Sequence, residues 1–324
     1  MCDDSIRITF DKGNIQSITF GVKAILNVKE QSALKSSLEH FLEQIPVAEI
    51  TALVCRQSGK PEAEVLKLIQ TFANESRVTL QLIIRQLDRE HQILEVGAGL
   101  CLLSLFLKHE GFRITALEPA LGGFGLFEQL KTAILKHFTE IDLPVLDKPA
   151  QALDLTTDGP FDLLFSNNVI EHIPEWPIAL EAMAAVLNPN GLMVHACPNY
   201  TIPYEPHYGV PVFRHFPNLS RTLFLSAKRD PEIWDSLNFI TCREIKHHCN
   251  KNTLTYQFRS ELLYLAIKRI DEDEAFKQRH QGMVATLASL IMKSGLGAII
   301  RRIPPSLSTP MVVEISRPGD SGAQ

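Results

Sequence analysis

The run Ile93-Leu94-Glu95-Val96-Gly97-Ala98-Gly99-Leu100-Cys101 carries an apolar stretch into two glycines spaced one residue apart. Such a bend lets the backbone approach a bound molecule closely, because no Cβ stands in the way. Glu118 follows Gly97 by 21 residues. At that distance an α/β nucleotide site places a carboxylate that accepts hydrogen bonds from both ribose hydroxyls. Together the turn and the carboxylate suit recognition of a nucleoside. A dinucleotide site asks for a third glycine at the end of G-x-G-x-x-G, but position 102 is leucine, and Glu95 before Val96 is foreign to that fingerprint. The plain alternative is a tight strand–helix turn with a surface glutamate; the turn and carboxylate at this spacing favour the nucleoside site.

Holding that pair in place requires alternating strands and helices. Residues 92–96 are expected as a buried strand, 100–109 as a helix ended by Gly111, and 112–118 as a second strand. A helix over 127–138, a short strand at 144–146, a strand at 161–166 and a helix at 178–187 follow. A fifth strand at 192–197 comes after the turn Asn188-Pro189-Asn190-Gly191. That rhythm predicts a doubly wound parallel sheet, with ligands at the carboxyl ends of its strands. Before it, 6–10 and 15–20 read as a hairpin and 28–87 as three helices. The second of these should end at Gly59 and the third open at Pro61. The expected organisation is a hairpin plus helical cap over 1–88, a main α/β domain over 89–316 with an insertion at 198–238, and a disordered tail over 317–324. A helix near 241–250, a strand near 253–258, helical segments over 260–303 and a last strand at 311–316 complete the main domain.

Four segments in register across 92–197 carry a resemblance. They are Leu94-Glu95-Val96-Gly97-Ala98-Gly99, Leu117-Glu118-Pro119, Phe161–Ile173 with its Glu171-His172-Ile173, and Leu187-Asn188-Pro189-Asn190-Gly191. The chain resembles class I S-adenosylmethionine-dependent methyltransferases, and within them the branch of quinone-biosynthesis O-methyltransferases. The resemblance implies a Rossmann-like sheet of seven strands with the last antiparallel, a role for 311–316. It implies S-adenosyl-L-methionine as cofactor, S-adenosyl-L-homocysteine as product, and a cofactor site lined by Glu95, Gly97, Ala98, Gly99, Glu118 and Asn167. Cys101 stands where the family usually has a third glycine, so a slightly altered loop is expected. Pro149 stands where an aspartate tends to hold the adenine, which leaves Gln151 or main-chain groups for that contact. Gly122, Gly123 and Gly125 suit either another close backbone approach or a flexible loop.

Methyl transfer is an in-line displacement, so most of the acceleration comes from placing the acceptor within about 3–3.5 Å of the methyl group. A hydroxyl acceptor also profits from a base, by roughly 10²–10⁴-fold. His172, six residues past the fourth main-domain strand, is one candidate; fastening its loop is the alternative role. Pro198–Gly209 holds three of the chain's five tyrosines, Tyr200, Tyr204 and Tyr208, among stiffening prolines. Those tyrosines with Glu205 suit an acceptor wall, and His207 is the second candidate base. The expected reaction is methylation of a small or medium acceptor at oxygen: a quinone-like aromatic, a sugar or glycolipid, or a secondary metabolite. The rivals are a catalytically silent cofactor-binding scaffold and a protein or RNA methyltransferase. The Asn/Asp-Pro-Pro-Tyr tetrapeptide of amide- and base-N-methylating enzymes is replaced here by Ser166-Asn167-Asn168-Val169.

Glu171-His172 is half of the E-x-x-E-H pattern of metal-dependent RNA 2′-hydroxyl methyltransferases, but Asn168 replaces the first glutamate, so no metal is expected. His247-His248-Cys249 reads as an ordinary helix end. With 32 Lys and Arg against 37 Asp and Glu, the net charge of −5 gives no basic surplus for nucleic acid. Six scattered cysteines, an acidic start and no apolar run of roughly 20 residues fit a cytoplasmic protein. The apolar stripe with Lys293, Arg301 and Arg302 over 283–308 is expected to pack on its own domain or a second copy. A membrane surface or lipid-linked acceptor is its other use.

Overall fold

Alternating strands and helices build a single seven-stranded sheet. The computed structural model describes residues 6–11, 14–20, 26–119, 125–225, 232–260, 264, 267, 268, 270, 271 and 283–318. Strands β1 (Ile6–Asp11) and β2 (Asn14–Phe20) form the expected antiparallel hairpin. Helix α1 (Val28–Glu43) starts where the Asn27 side chain accepts from the Lys29 and Glu30 amides and Glu30 returns the bond, and it buries Leu34, Leu38, Phe41 and Leu42. Helix α2 (Val47–Ser58) ends at Gly59 in the left-handed conformation, and α3 (Glu62–Ile83) opens after Pro61. The punctuation by glycine and proline therefore falls where the sequence placed it.

The main domain runs β3 (Gln92–Val96), α4 (Leu102–His109), β4 (Arg113–Leu117), α5 (Gly125–His137), β5 (Val145–Leu146), β6 (Phe161–Asn167), α6 (Trp176–Ala185) and β7 (Leu187–Cys197). An insertion follows, with the two-residue strands β8 (Tyr204–Glu205) and β9 (Val210–Pro211) and helices α7 (Pro217–Phe224) and α8 (Glu232–Ser236). The chain then forms α9 (Cys242–Lys251), β10 (Thr255–Phe258), α10 (Met283–Lys293), α11 (Gly297–Ile300) and β11 (Met311–Ser316). The sheet order is β10-β11-β7-β6-β3-β4-β5. Pairs among β3 to β7 are parallel, and β11 lies antiparallel to both β7 and β10. The last strand thus takes the antiparallel place implied for it.

Successive strand residues face opposite sides, and each side has its own core. Ile93, Ile114, Leu163, Phe165 and Val194 pack with α1 to α5, whereas Leu94, Leu117, Leu164, Met193 and Val313 pack with α6 and α9. One element departs from expectation. Asn188–Gly191 does not precede β7 but belongs to it: Phe161 pairs with Leu187 and Leu163 with Leu192, so the extra residues bulge within the strand. A Cβ on Gly191 would lie 2.9 Å from the Phe161 carbonyl, so the bulge needs glycine there.

The insertion has a small core of its own, made by Tyr200, Tyr208, Val212, Trp234, Leu237 and Phe239. In the 283–308 stripe Ala288 is buried, while Leu287, Leu290, Leu296 and Ile299 are exposed; Gly295 interrupts it in the left-handed conformation. Among the described residues no helix is long and apolar enough to cross a membrane. Gly122, Gly123 and tail residues 319–324 lie outside the described residues.

Candidate active site

Past Val96 the chain turns through Gly97 (φ 70°), Gly99 (φ 56°) and Cys101 (φ 59°) into α4. Cys101 therefore adopts the left-handed conformation that a glycine would take without strain, at a cost of roughly 1–2 kcal/mol. The Gly97 and Ala98 amides donate to the Leu117 carbonyl at 2.8 and 3.2 Å, which locks the turn to the end of β4. The next residue completes the arrangement: the Gly99 amide donates to the Glu118 carboxylate at 2.6 Å. Both glycines are sterically required. A Cβ on Gly97 would come within 2.4 Å of the Val169 side chain, and one on Gly99 within 2.1 Å of the Phe72 ring.

Burial pushes the Glu118 carboxyl up to about 7, with Glu128 and Asp147 adding to the rise and the Gly99 amide and Lys131 opposing it. Glu95 is buried, accepts from the Ser104 hydroxyl, and is pushed by burial up to about 8. Lys131, buried on α5, pairs with Glu128 at 2.7 Å. Gln151 lies half-buried in the short 3-10 turn Ala150–Ala152, and Asn167 half-buried at the end of β6.

A second group of side chains lies directly beyond Val169. Residues 170–172 form a 3-10 turn past β6 that carries Glu171 and His172. Glu171 is fully buried, and among the described residues neither carboxylate oxygen has a hydrogen-bond partner. Burial raises this carboxyl to about 8. His172 Nδ1 lies 2.7 Å from the Ser236 hydroxyl, and burial presses its imidazole down to about 4. The insertion brings His207 to the same place, its ring centroid 5.3 Å from that of His172. His207 Nδ1 sits 2.6 Å from Glu205 Oε1. Burial pulls the His207 imidazole down, but that carboxylate more than offsets it and holds it above its ordinary value. Glu205 feels the reverse: burial pushes it up, while His207 and the amides of His207 and Tyr208 bring it below the ordinary carboxylate value.

Glu205 is thus the hub of the insertion, also accepting from the Tyr200 hydroxyl at 3.3 Å. Tyr200 and Tyr208 are buried, and the Tyr208 hydroxyl accepts from the Trp234 amide at 3.2 Å. Of the three tyrosines, only Tyr204 keeps partial exposure. Asn238 ties insertion to sheet, donating to the Ile170 and Ile173 carbonyls at 2.7 and 2.8 Å. His248, part of the set-aside trio, packs its ring against Trp176 at 5.3 Å as part of α9.

Sequence reasoning missed the contribution of α3. Phe72 covers Gly99, and Glu75 accepts from the Asn168 side chain at 3.4 Å. In the sequence Val65, Leu66, Leu68, Ile69 and Phe72 share one helix face, but their spacing does not say that this face meets the glycine turn.

A family model for methyltransferase domains matches residues 67–252. An uncharacterized protein of Mycobacterium tuberculosis is 35% identical over 238 residues, covering 69% of this chain and 78% of that protein. A ubiquinone biosynthesis O-methyltransferase of Caulobacter sp. strain K31 is 33% identical over 113 residues, 34% of this chain and 42% of that enzyme. Among solved structures, the YcgJ protein of Bacillus subtilis is similar at a TM-score of 0.45 and 15% identity, covering 76% of this chain and 100% of that one. The chain belongs to the methyltransferase-domain family and is a methyltransferase. The cofactor of the class is S-adenosyl-L-methionine, and the residues present fit it: a glycine turn whose Gly99 amide binds the Glu118 carboxylate at the neighbouring strand end.

Proposed function

We propose that this methyltransferase methylates a hydroxyl of a small or medium acceptor, such as a quinone-like aromatic, a sugar on a glycan or lipid, or a secondary metabolite. The observation that carries this reading is the meeting of Glu171, His172 and His207 one turn beyond the residue that roofs Gly97. An amine or thiol would need less help than such a group offers; a hydroxyl has to be made reactive. When bound, S-adenosylmethionine supplies a methyl group whose bond to sulfur breaks, the electron pair staying on sulfur, as the bond to the acceptor oxygen forms.

The chain's own residues do the rest. Glu118 accepts from the ribose hydroxyls, and the main chain of Gly97, Ala98 and Gly99 borders the nucleoside. Gln151 and Asn167 complete the cofactor's surroundings. Glu205 holds His207 towards His172, and these two histidines activate the hydroxyl. Tyr204 faces the acceptor, while Tyr200, Tyr208 and Glu205 stiffen the wall from beneath.

The test is transfer of a labelled methyl group to hydroxyl-bearing aromatics and sugars. Label should appear as a methyl ether. His207→Ala should lower kcat by roughly 10²-fold or more, with S-adenosylhomocysteine affinity unchanged, and Tyr204→Ala should mainly raise the acceptor's KM. Label on nitrogen or carbon alone, or full turnover in His207→Ala, would overturn the hydroxyl reading.

A further inference from the structure

We infer that Glu171, His172 and His207 form a three-ligand site for a divalent cation of the zinc type. Each offers one ligand atom, and these three atoms all lie within 4.8 Å of one another. Zinc holds nitrogen and oxygen ligands at about 2.0–2.2 Å, and two histidines with one carboxylate are a donor set that leaves a position open. Ligand atoms around one tetrahedral zinc lie about 3.4 Å apart, so the three side chains would draw together on binding.

Three features besides proximity point to a cation. First, Glu171 is fully buried and, among the described residues, neither of its carboxyl oxygens has a hydrogen-bond partner, a costly state that a bound cation would relieve. Second, each imidazole has its Nδ1 engaged, His172 with the Ser236 hydroxyl and His207 with the Glu205 carboxylate. Metal-binding histidines commonly have their far nitrogen held in this way, which fixes the ring and leaves Nε2 for the ion. Third, a carboxylate stands beside the residue on which the metal-free expectation rested. Asn168 replaces the first acid of the E-x-x-E-H pattern, and its amide donates to Glu75 of the cap helix at 3.4 Å. His207, 35 residues beyond His172, supplies a ligand that a local pattern could not show.

The ligands come from two parts of the fold, the turn past β6 and the insertion, so the ion ties the acceptor wall to the sheet. Its open position would face the acceptor oxygen and make that hydroxyl more acidic, with the proton released to water; with the ion bound, the two histidines activate the hydroxyl through the metal and not by taking its proton. This use of the site rests on the hydroxyl reading; the binding of the ion does not.

The experiment is calorimetric titration of the chelator-stripped full chain with Zn²⁺, alongside S-adenosylhomocysteine titration of the same preparation. One Zn²⁺ per chain is expected. His207→Ala and Glu171→Gln should weaken binding at least tenfold, and exposed His40→Ala should leave it unchanged. Circular dichroism checks that each variant folds, and Co²⁺ substituted into the unmutated protein should give visible d–d bands typical of nitrogen ligation. No uptake by the unmutated chain overturns the site, and with S-adenosylhomocysteine binding intact it leaves the methyltransferase reading standing. Uptake that persists in folded His207→Ala also overturns it. Zn²⁺ binding lost in His207→Ala, in a chain that ignores S-adenosylhomocysteine, would support the site and count against the cofactor assignment.

Discussion

Glu118 has two opposing tendencies. Its place between β4 and the glycine turn removes it from water and lifts its carboxyl to about 7, yet the Gly99 amide, 2.6 Å away, prefers it ionised. Ribose hydroxyls that donate to it favour the ionised form as well, so binding should lower its pKa. The sign follows from linkage: a ligand that prefers the deprotonated carboxyl binds more tightly as pH rises towards and through about 7, then levels off. S-adenosylhomocysteine affinity measured from pH 5.5 to 8.5 should therefore increase with pH. Glu118→Gln, which cannot ionise, should bind more weakly at the alkaline end and lose that slope. A flat profile in the unmutated protein would mean that the carboxyl is not where the ribose binds.

At the scale of elements, the β3–α4 turn was readable because everything that defines it is local: an apolar strand, glycines at the bend, an amphipathic helix after it. The contact across that turn was not. Phe72 lies on α3, and its ring approaches the space a Gly99 Cβ would enter to 2.1 Å. Gly99→Ala should therefore lower Tm and weaken S-adenosylhomocysteine binding at least tenfold, through both the left-handed φ of 56° and the clash. Adding Phe72→Ala should recover part of the stability, because it removes the ring but not the backbone strain. Thermal unfolding of the two variants checks this; an unchanged Tm in Gly99→Ala would show that α3 does not pack on the turn. The β7 bulge was illegible for a related reason. Asn188-Pro189-Asn190-Gly191 has turn chemistry, and only the pairing of the flanking Leu187 with Phe161 and Leu192 with Leu163 makes it part of a strand.

For the whole molecule, the seven-stranded sheet and its antiparallel last strand followed from the motif resemblance, and the hairpin and three cap helices from periodicity, glycine and proline. The chemistry at the sheet's carboxyl edge needed tertiary structure. His207 reaches His172 because Tyr200, Tyr208, Trp234 and Phe239 give the insertion its own core and Asn238 fastens it to residues 170–173. Of the tyrosines that in sequence suit an acceptor wall, Tyr200 and Tyr208 are buried in that core, a distinction that composition cannot make. Cap, sheet and insertion thus meet around one turn, with α3 over Gly99, Val169 over Gly97 and the histidines just beyond.

The claim on which all else depends is that this edge binds the cofactor of a methyltransferase rather than a dinucleotide. Calorimetric titration of the purified chain with S-adenosylhomocysteine and, separately, with NAD tests it most directly. S-adenosylhomocysteine should bind at one site, Glu118→Ala should cost about 1.5–3 kcal/mol of that affinity, as expected for hydrogen bonds to a charged group, and NAD should give no binding heat. Tight NAD binding, or S-adenosylhomocysteine affinity untouched by Glu118→Ala, would contradict the account.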